Sequence, residues 1–472
     1  MRQAIIAIVI LFTGINVKSQ EPNTLYFMDR VPQASMMNPA FVPKCNFYFG
    51  IPASNFHNNI NFAPLKFNII FPYDNVDKTV GNFMRNDNTK ASFLNTLNSN
   101  NELYTDFQDD ILSFGFRIKD WYFHFNASAR STFSFAYPKT FVESLLINGF
   151  ELNTMYDYSK LGLSMNSYVE FGFGLTRQIN ESWTVGAKMK VLRGIANVRT
   201  NNNQFSIGTV DENDLYVLRV KSDFSVDMAI PYYKVNKGVN LSLDSLIEKD
   251  NDYKIKPFEN IGFAWDFGAT YSGIENLVLS ASVIDLGSIS WKDNISNLKL
   301  SSNFEFDGTD FVADSFDNAF DDSFEALKDS FKFTSSSNVS YSTALPTKIY
   351  VGGEYSLARF FSIGVLSSTR IYQAEYSEQL TFSANLKPAK MAMLSLSYSI
   401  IDNAAHTFGM GFSFRIIPPT QLYFVWDNIP VYYGKNFFPY KMDRMNIRLG
   451  MNWVFGCNGR TKKLKDKPMG WE

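Results

Sequence analysis

Residues 446–455 read Asn-Ile-Arg-Leu-Gly-Met-Asn-Trp-Val-Phe. Ile447, Leu449, Met451, Trp453 and Phe455 fall on one face, and Asn446, Arg448, Gly450 and Asn452 fall on the other. A period of two over such a run specifies a strand with one apolar and one wet side. Its length is close to the roughly 9 to 11 residues that a tilted strand needs to cross a bilayer. Taken alone, the stretch fits the last strand of a soluble sandwich equally well, so the rest of the chain decides.

The pattern repeats. Leu112, Phe114, Phe116 and Ile118 oppose Ser113, Gly115 and Arg117; Lys119-Asp120 makes a tight turn; Trp121, Phe123, Phe125 and Ala127 then oppose Tyr122, His124, Asn126 and Ser128. That is a hairpin with one lipid-like face. Val169–Leu175 turns at Asn180-Glu181 into Trp183–Val191, and Ile261–Phe267 turns between Gly273 and Asn276 into Leu277–Val283. Further hairpins read over 349–365, 382–398 and 408–426. These six hairpins, one strand before Leu112 and the closing strand make about fourteen strands. Phe205–Met228 either adds two, for sixteen, or forms an elaborate loop. Short turns alternating with long connections are the habit of an all-β, transmembrane antiparallel β-barrel.

Composition agrees. Aromatics make up 16% of 472 residues, with 45 Phe and 24 Tyr, whereas charged residues are only 19%. Mean hydropathy is −0.14, too polar for a helical membrane protein but natural for a barrel that hides its apolar half in alternation. A net charge of −2 gives no sign of a nucleic-acid partner. Arg2, the apolar run Ala4–Ile15 and Val17-Lys18-Ser19 before Gln20 form a signal peptide over 1–19. Cys45 and Cys457 lie near the two ends. On the barrel reading both fall near one rim, so a disulfide between them is geometrically allowed.

From Gln20 to Pro43 the chain is irregular, with Pro22, Pro32, Pro39 and Pro43 forbidding a central strand. Asn38-Pro39-Ala40 at this position, ahead of a long β-rich chain, resembles the hatch of the FadL-type outer-membrane family. That family includes long-chain fatty-acid and aromatic-hydrocarbon transporters and a shuttle protein of the type IX secretion system. The fuller string Leu25-Tyr26-Phe27-Met28 to Asn38-Pro39-Ala40-Phe41-Val42-Pro43 is similar to an uncharacterised FadL-like family of Bacteroidetes-type outer membranes. The resemblance implies a Gram-negative outer membrane, a hatch or plug over 20–43, a barrel over 44–456 and a basic periplasmic tail over 457–472. It also implies insertion by the barrel-assembly machinery through the C-terminal strand. Two functions follow from it: passive uptake of a hydrophobic small molecule, or a non-transporting platform for a secretion (type IX-like) or cell-surface complex.

No catalytic signature is present. His57, His124 and His406 are far apart with no second ligand at metal spacing, so the expectation is no enzyme, no metal and no cofactor. The alternation points Arg117, His124, Arg130, Glu170, Lys188, Lys190, Asp266, Lys348, Glu354, Arg415, Asp427 and Arg448 into the lumen. A lipid-facing Arg or Lys at mid-bilayer would cost about 2–4 kcal/mol, so this register is meaningful. These residues are expected to pair with one another and with the hatch, the alternative being contact with a substrate. Pro138–Gly149 reads as a short helix ended by glycine. Asp310–Phe331 reads as an amphipathic helix whose acidic side is a solvated face rather than a calcium site. Phe141, Leu145, Phe316 and Phe320 on these loops are the candidate lining of a ligand pocket.

Overall fold

The alternating segments become strands of one sheet that closes on itself. In the computed structural model the described residues are 23–457 except 53, 63–64, 66, 72–83, 85, 148, 213–214, 237, 242–246, 255, 257–258, 307–332, 338, 373–374, 390, 402–404, 418 and 430–443. The signal segment, residues 458–472, and the whole of the Asp310–Phe331 reading, with Phe316 and Phe320, lie outside them. Strand β1 is interrupted, running Phe47–Gly50 and then Phe56–Asn61. There follow β2 (Asn100–Ile118), β3 (Trp121–Pro138), β4 (Gly162–Gln178), β5 (Trp183–Glu212), β6 (Ile261–Ile274) and β7 (Leu277–Trp291). The second half is β8 (Thr347–Ala358), β9 (Phe361–Tyr372), β10 (Glu375–Ala389), β11 (Ala392–Ile401), β12 (Ala405–Ile417), β13 (Thr420–Ile429) and β14 (Arg444–Phe455). Neighbours pair antiparallel, and β1 pairs with β14 through Phe47 opposite Phe455 and Phe56 opposite Leu449, closing a fourteen-stranded barrel.

Phe205–Met228 is the elaborate loop, not two more wall strands. Up to Arg193 strand β5 pairs with β6; beyond Asn197 it pairs with the strand Leu215–Ala229, which pairs in turn with Ile295–Phe306. The hairpin therefore continues past the barrel rim. At about 3.3 Å per residue, the 30 residues of β5 run far longer than a bilayer requires.

The outward residues are the apolar ones the alternation selects. Phe173 is 51% and Phe263 57% exposed, and Trp265, Val351, Val365 and Phe412 are likewise exposed. An apolar belt this extensive is a membrane-facing surface. Rings meet across it between paired strands in tilted pairs, Phe114 with Phe125 at 5.2 Å and Phe125 with Phe173 at 5.1 Å, the contacts that stabilise a sheet face. No described helix is long and apolar enough to cross a membrane, and the crossing is made by strands.

The short turns gather at one end of the barrel, here the turn end, and the long connections at the other, the loop end. At the turn end Cys45 and Cys457 are joined by a disulfide. Pro138–Gly149 forms the short helical turns Lys139–Val142 and Glu143–Ile147, followed by Gly149 at φ 79°. In β1, residues 51–55 stand against only 110–112 of β2. Within this stretch the Ser54 carbonyl accepts from Tyr423 at 3.0 Å and from Gln33 at 3.2 Å.

Candidate functional site

Residues 23–43 lie inside the barrel, and the site is the lumen they occupy. The segment turns at Asn38, whose Oδ1 accepts the Ala40 N–H at 2.9 Å, the local bond that favours Asn before proline in turns. Thr176 donates to the Pro39 carbonyl at 2.5 Å and Ser282 to the Met37 carbonyl at 2.6 Å. The turn seats on Gly186 of β5 and Gly268 of β6, which are register partners. A Cβ at Gly186 would lie 2.1 Å from the Pro39 oxygen, and one at Gly268 2.1 Å from Asn38 Oδ1. Only residues without a side chain permit so close an approach.

Above that turn the segment is apolar. Leu25, Tyr26, Phe27, Met28, Val31 and Met37 form one core with the wall residues Ile284, Tyr350, Leu366, Met393, Tyr423 and Val425. Leu25 and Met28 are fully buried, each contributing roughly 1.5–3 kcal/mol. Asn23 caps this core by donating to Ser368 at 2.8 Å and Thr381 at 2.9 Å, and Thr24 donates to Asp427.

At the turn end the attachment is ionic. Asp29 lies 3.3 Å from Lys44 and 3.2 Å from Lys387, and Lys387 also reaches Glu354 of β8 at 3.3 Å. Burial alone would raise the Asp29 pKa; Lys387 and Lys44 outweigh it and hold the carboxyl below its ordinary range. Gln33 and Asn452 exchange two amide bonds of 2.8 and 2.9 Å. A crevice of about 20 Å³ between Tyr26, Phe27, Asp29, Phe41, Val278 and Glu354 has room for about one water.

On the loop side of this segment a buried ion network joins β3 to β7. Arg130 meets Glu170 and Asp285 at 3.1 Å each; Lys190 meets Asp266 at 2.7 Å and also Asp285; Lys188 lies 3.6 Å from Glu170. Gln108 and Asn126 complete it through Arg130 and Glu170. Buried charges persist when so paired and hydrogen-bonded.

The alternation's lumen residues thus divide. Arg130, Glu170, Lys188, Lys190 and Asp266 come together; Glu354 joins Asp29; Arg117 reaches the Pro43 carbonyl at 3.2 Å and Arg415 the Cys45 sulfur at 3.8 Å. Lys348 pairs with Asp106 at 3.7 Å. His124 on β3 and Arg448 on β14 are both buried. Phe141 links two apolar clusters of the loop end, one containing Phe93, Leu97 and Tyr137, the other Tyr158, Ile207 and Val220. The side chain of Leu145 lies outside the described residues.

Asp285 escapes sequence reading because it sits in a bulge. Ile284 and Asp285 both oppose Asp266, Asp285 adopts φ 61°, and one residue of period is lost. Asp29 escapes because residues 23–43 have no period to read, and with it the role of Lys387 as its partner. Among the described residues no cluster of His, Cys, Asp or Glu is arranged to hold a metal ion.

Comparison with known proteins adds the following. The family of unknown function DUF5723 matches residues 39–427. No curated protein matches the chain. Solved structures similar to it include the Ralstonia pickettii toluene transporter TbuX (TM-score 0.44, 9% identity, covering 90% of this chain and 94% of that one). The Pseudomonas putida toluene transporter TodX follows (TM-score 0.38, 8% identity, 93% and 94%), as does a Pseudomonas aeruginosa FadL homologue (TM-score 0.39, 10% identity, 93% and 97%).

Proposed function

Because this chain belongs to the family of unknown function DUF5723, which assigns no activity, we propose its role from the lumen: passive uptake of a hydrophobic small molecule across the outer membrane of a Gram-negative bacterium, gated by residues 23–43. One observation carries this reading. The segment fills the lumen with side-chain packing and isolated bonds to the wall, without a strand ladder among the described residues, so it can move without breaking the sheet. The apolar clusters joined by Phe141 give a hydrophobic solute a landing place at the loop end. No energy input is needed, because displacement of the plug opens a diffusion path. Export by a cleaved signal peptide and insertion by the barrel-assembly machinery through β14 belong to the same proposal.

A second reading has its own support. The Arg130–Glu170–Asp285–Lys190 network lays charges across the route of an apolar solute, which favours a closed barrel serving as component or platform of a type IX-like secretion or cell-surface complex. Native mass spectrometry after gentle detergent extraction separates the two. A co-purifying hydrophobic molecule, lost in Phe141→Ala, supports uptake. An empty barrel that retains a protein partner rejects uptake and supports the platform.

A further inference from the structure

The loop-end half of β14 carries a row of buried side chains, each with at least one donor nitrogen that has no partner. Arg444, Asn446 and Arg448 alternate onto the lumen face and are 7%, 1% and 5% exposed. Arg444 Nε and Nη1, Asn446 Nδ2 and Arg448 Nε have no hydrogen-bond partner. The Asn446 orientation is set by its neighbour, for its Oδ1 is 3.2 Å from His57 Nε2, which leaves the amide nitrogen toward the lumen. A guanidinium cannot discharge itself by losing a proton, and a buried charge without a counter-charge is costly.

The acceptors nearby do not balance the donors. Asp427, the register partner of Asn446, takes the Thr24 hydroxyl on one oxygen and leaves Oδ2 without a partner. Asp106 is engaged by Lys348. Another guanidinium, Arg370 of β9, stacks on Tyr104 at 4.1 Å, and Tyr104 faces Asn61, itself the register partner of Arg444. Among the described residues Arg444 and Arg448 thus keep open donors on a stretch of wall where the open carboxylate oxygens are Asp427 Oδ2 and Asp110 Oδ2.

We propose that this face of β14 is an oxyanion site, in which Arg444 and Arg448, with Asn446 between them, take a carboxylate or phosphate group. Guanidinium forks match such groups geometrically as well as electrostatically. The proposal stands whether or not the barrel conducts a hydrophobic solute.

The test is calorimetric titration of the full-length protein in detergent, at fixed ionic strength, with inorganic phosphate, butyrate and decanoate, and chloride as control. Saturable oxyanion binding is expected, weakened about tenfold or more in Arg444→Gln and Arg448→Gln, with folding checked by heat-modifiable gel mobility. Arg444→Lys, which keeps charge but not the fork, should bind with intermediate strength and serves if a glutamine variant fails to fold. Preference for phosphate identifies a free oxyanion. Affinity that rises from butyrate to decanoate, and is lost in the variants, identifies the headgroup of an amphiphile. No saturable binding, chloride competing on equal terms, or variants that bind like the unmodified protein would overturn the proposal.

Discussion

Gly186 and Gly268 face each other on adjacent strands, and the Asn38-Pro39 turn occupies the room their absent side chains leave. Wall and plug are fitted at this point to within one carbon atom. Gly186→Val places a Cβ against the Pro39 oxygen, and overpacking of this kind costs about 1–3 kcal/mol. The ratio of displaced to seated plug should rise about 5- to 150-fold, read as increased conductance in planar bilayers with the barrel still folded. Unchanged conductance together with unchanged protease protection of residues 23–43 would remove the seating role.

Lys387 holds Asp29 of the plug and Glu354 of the wall at once. Lys387→Met takes the lysine from Glu354 and leaves Asp29 with Lys44 alone, and breaking a buried pair costs about 3–5 kcal/mol. Limited proteolysis should cut the plug faster in that variant, and adding Asp29→Asn should restore part of the protection. If the single variant is cut no faster, this ion pair does not hold the plug.

The same pair sets a pH dependence. Asp29 is held below the ordinary carboxylate pKa of about 3.9. Its stabilising contribution is therefore complete above that ordinary value and fades as pH falls through the lower, folded-state value. Protease protection of the plug should stay flat from pH 8 to about 4.5 and drop only in stronger acid, and Asp29→Asn should remove that acid step. A drop between pH 7 and 5 would point to another group.

The disulfide between Cys45 and Cys457 predicts no thiol available to alkylation until reductant is added. Replacing both cysteines by serine should lower the unfolding temperature of the barrel, since losing such a bridge typically costs 2–5 kcal/mol. Two thiols alkylated without reductant would sink the assignment.

The wall was legible because lipid on one side and a packed lumen on the other force a period of two, so Phe171, Phe173 and Leu175 could be placed outward from sequence alone. The count of fourteen rested on turns such as Lys119-Asp120. Phe205–Met228 stayed ambiguous because a hairpin above the rim alternates as a hairpin in the wall does. The lumen was half legible. Arg130, Glu170 and Asp266 obey the period, but Asp285 enters through a bulge, and nothing local marks Asp29 as the partner of Lys387, 358 residues away. Which wall glycines receive the plug is likewise a matter of three-dimensional fit.

The bridge at Cys45–Cys457 sits beside the seam where the first strand meets the last. A rolled sheet has one such seam at which the chain's two extremes meet, and there a zipper could run in from either end. Here the lower end carries a stop. The seam is interrupted higher up, at residues 51–55, so any parting of the first and last strands while the bridge holds must begin on the far side of that gap. The polypeptide from 45 to 457 is a covalent hoop, and it can loosen on its outer lip without coming undone.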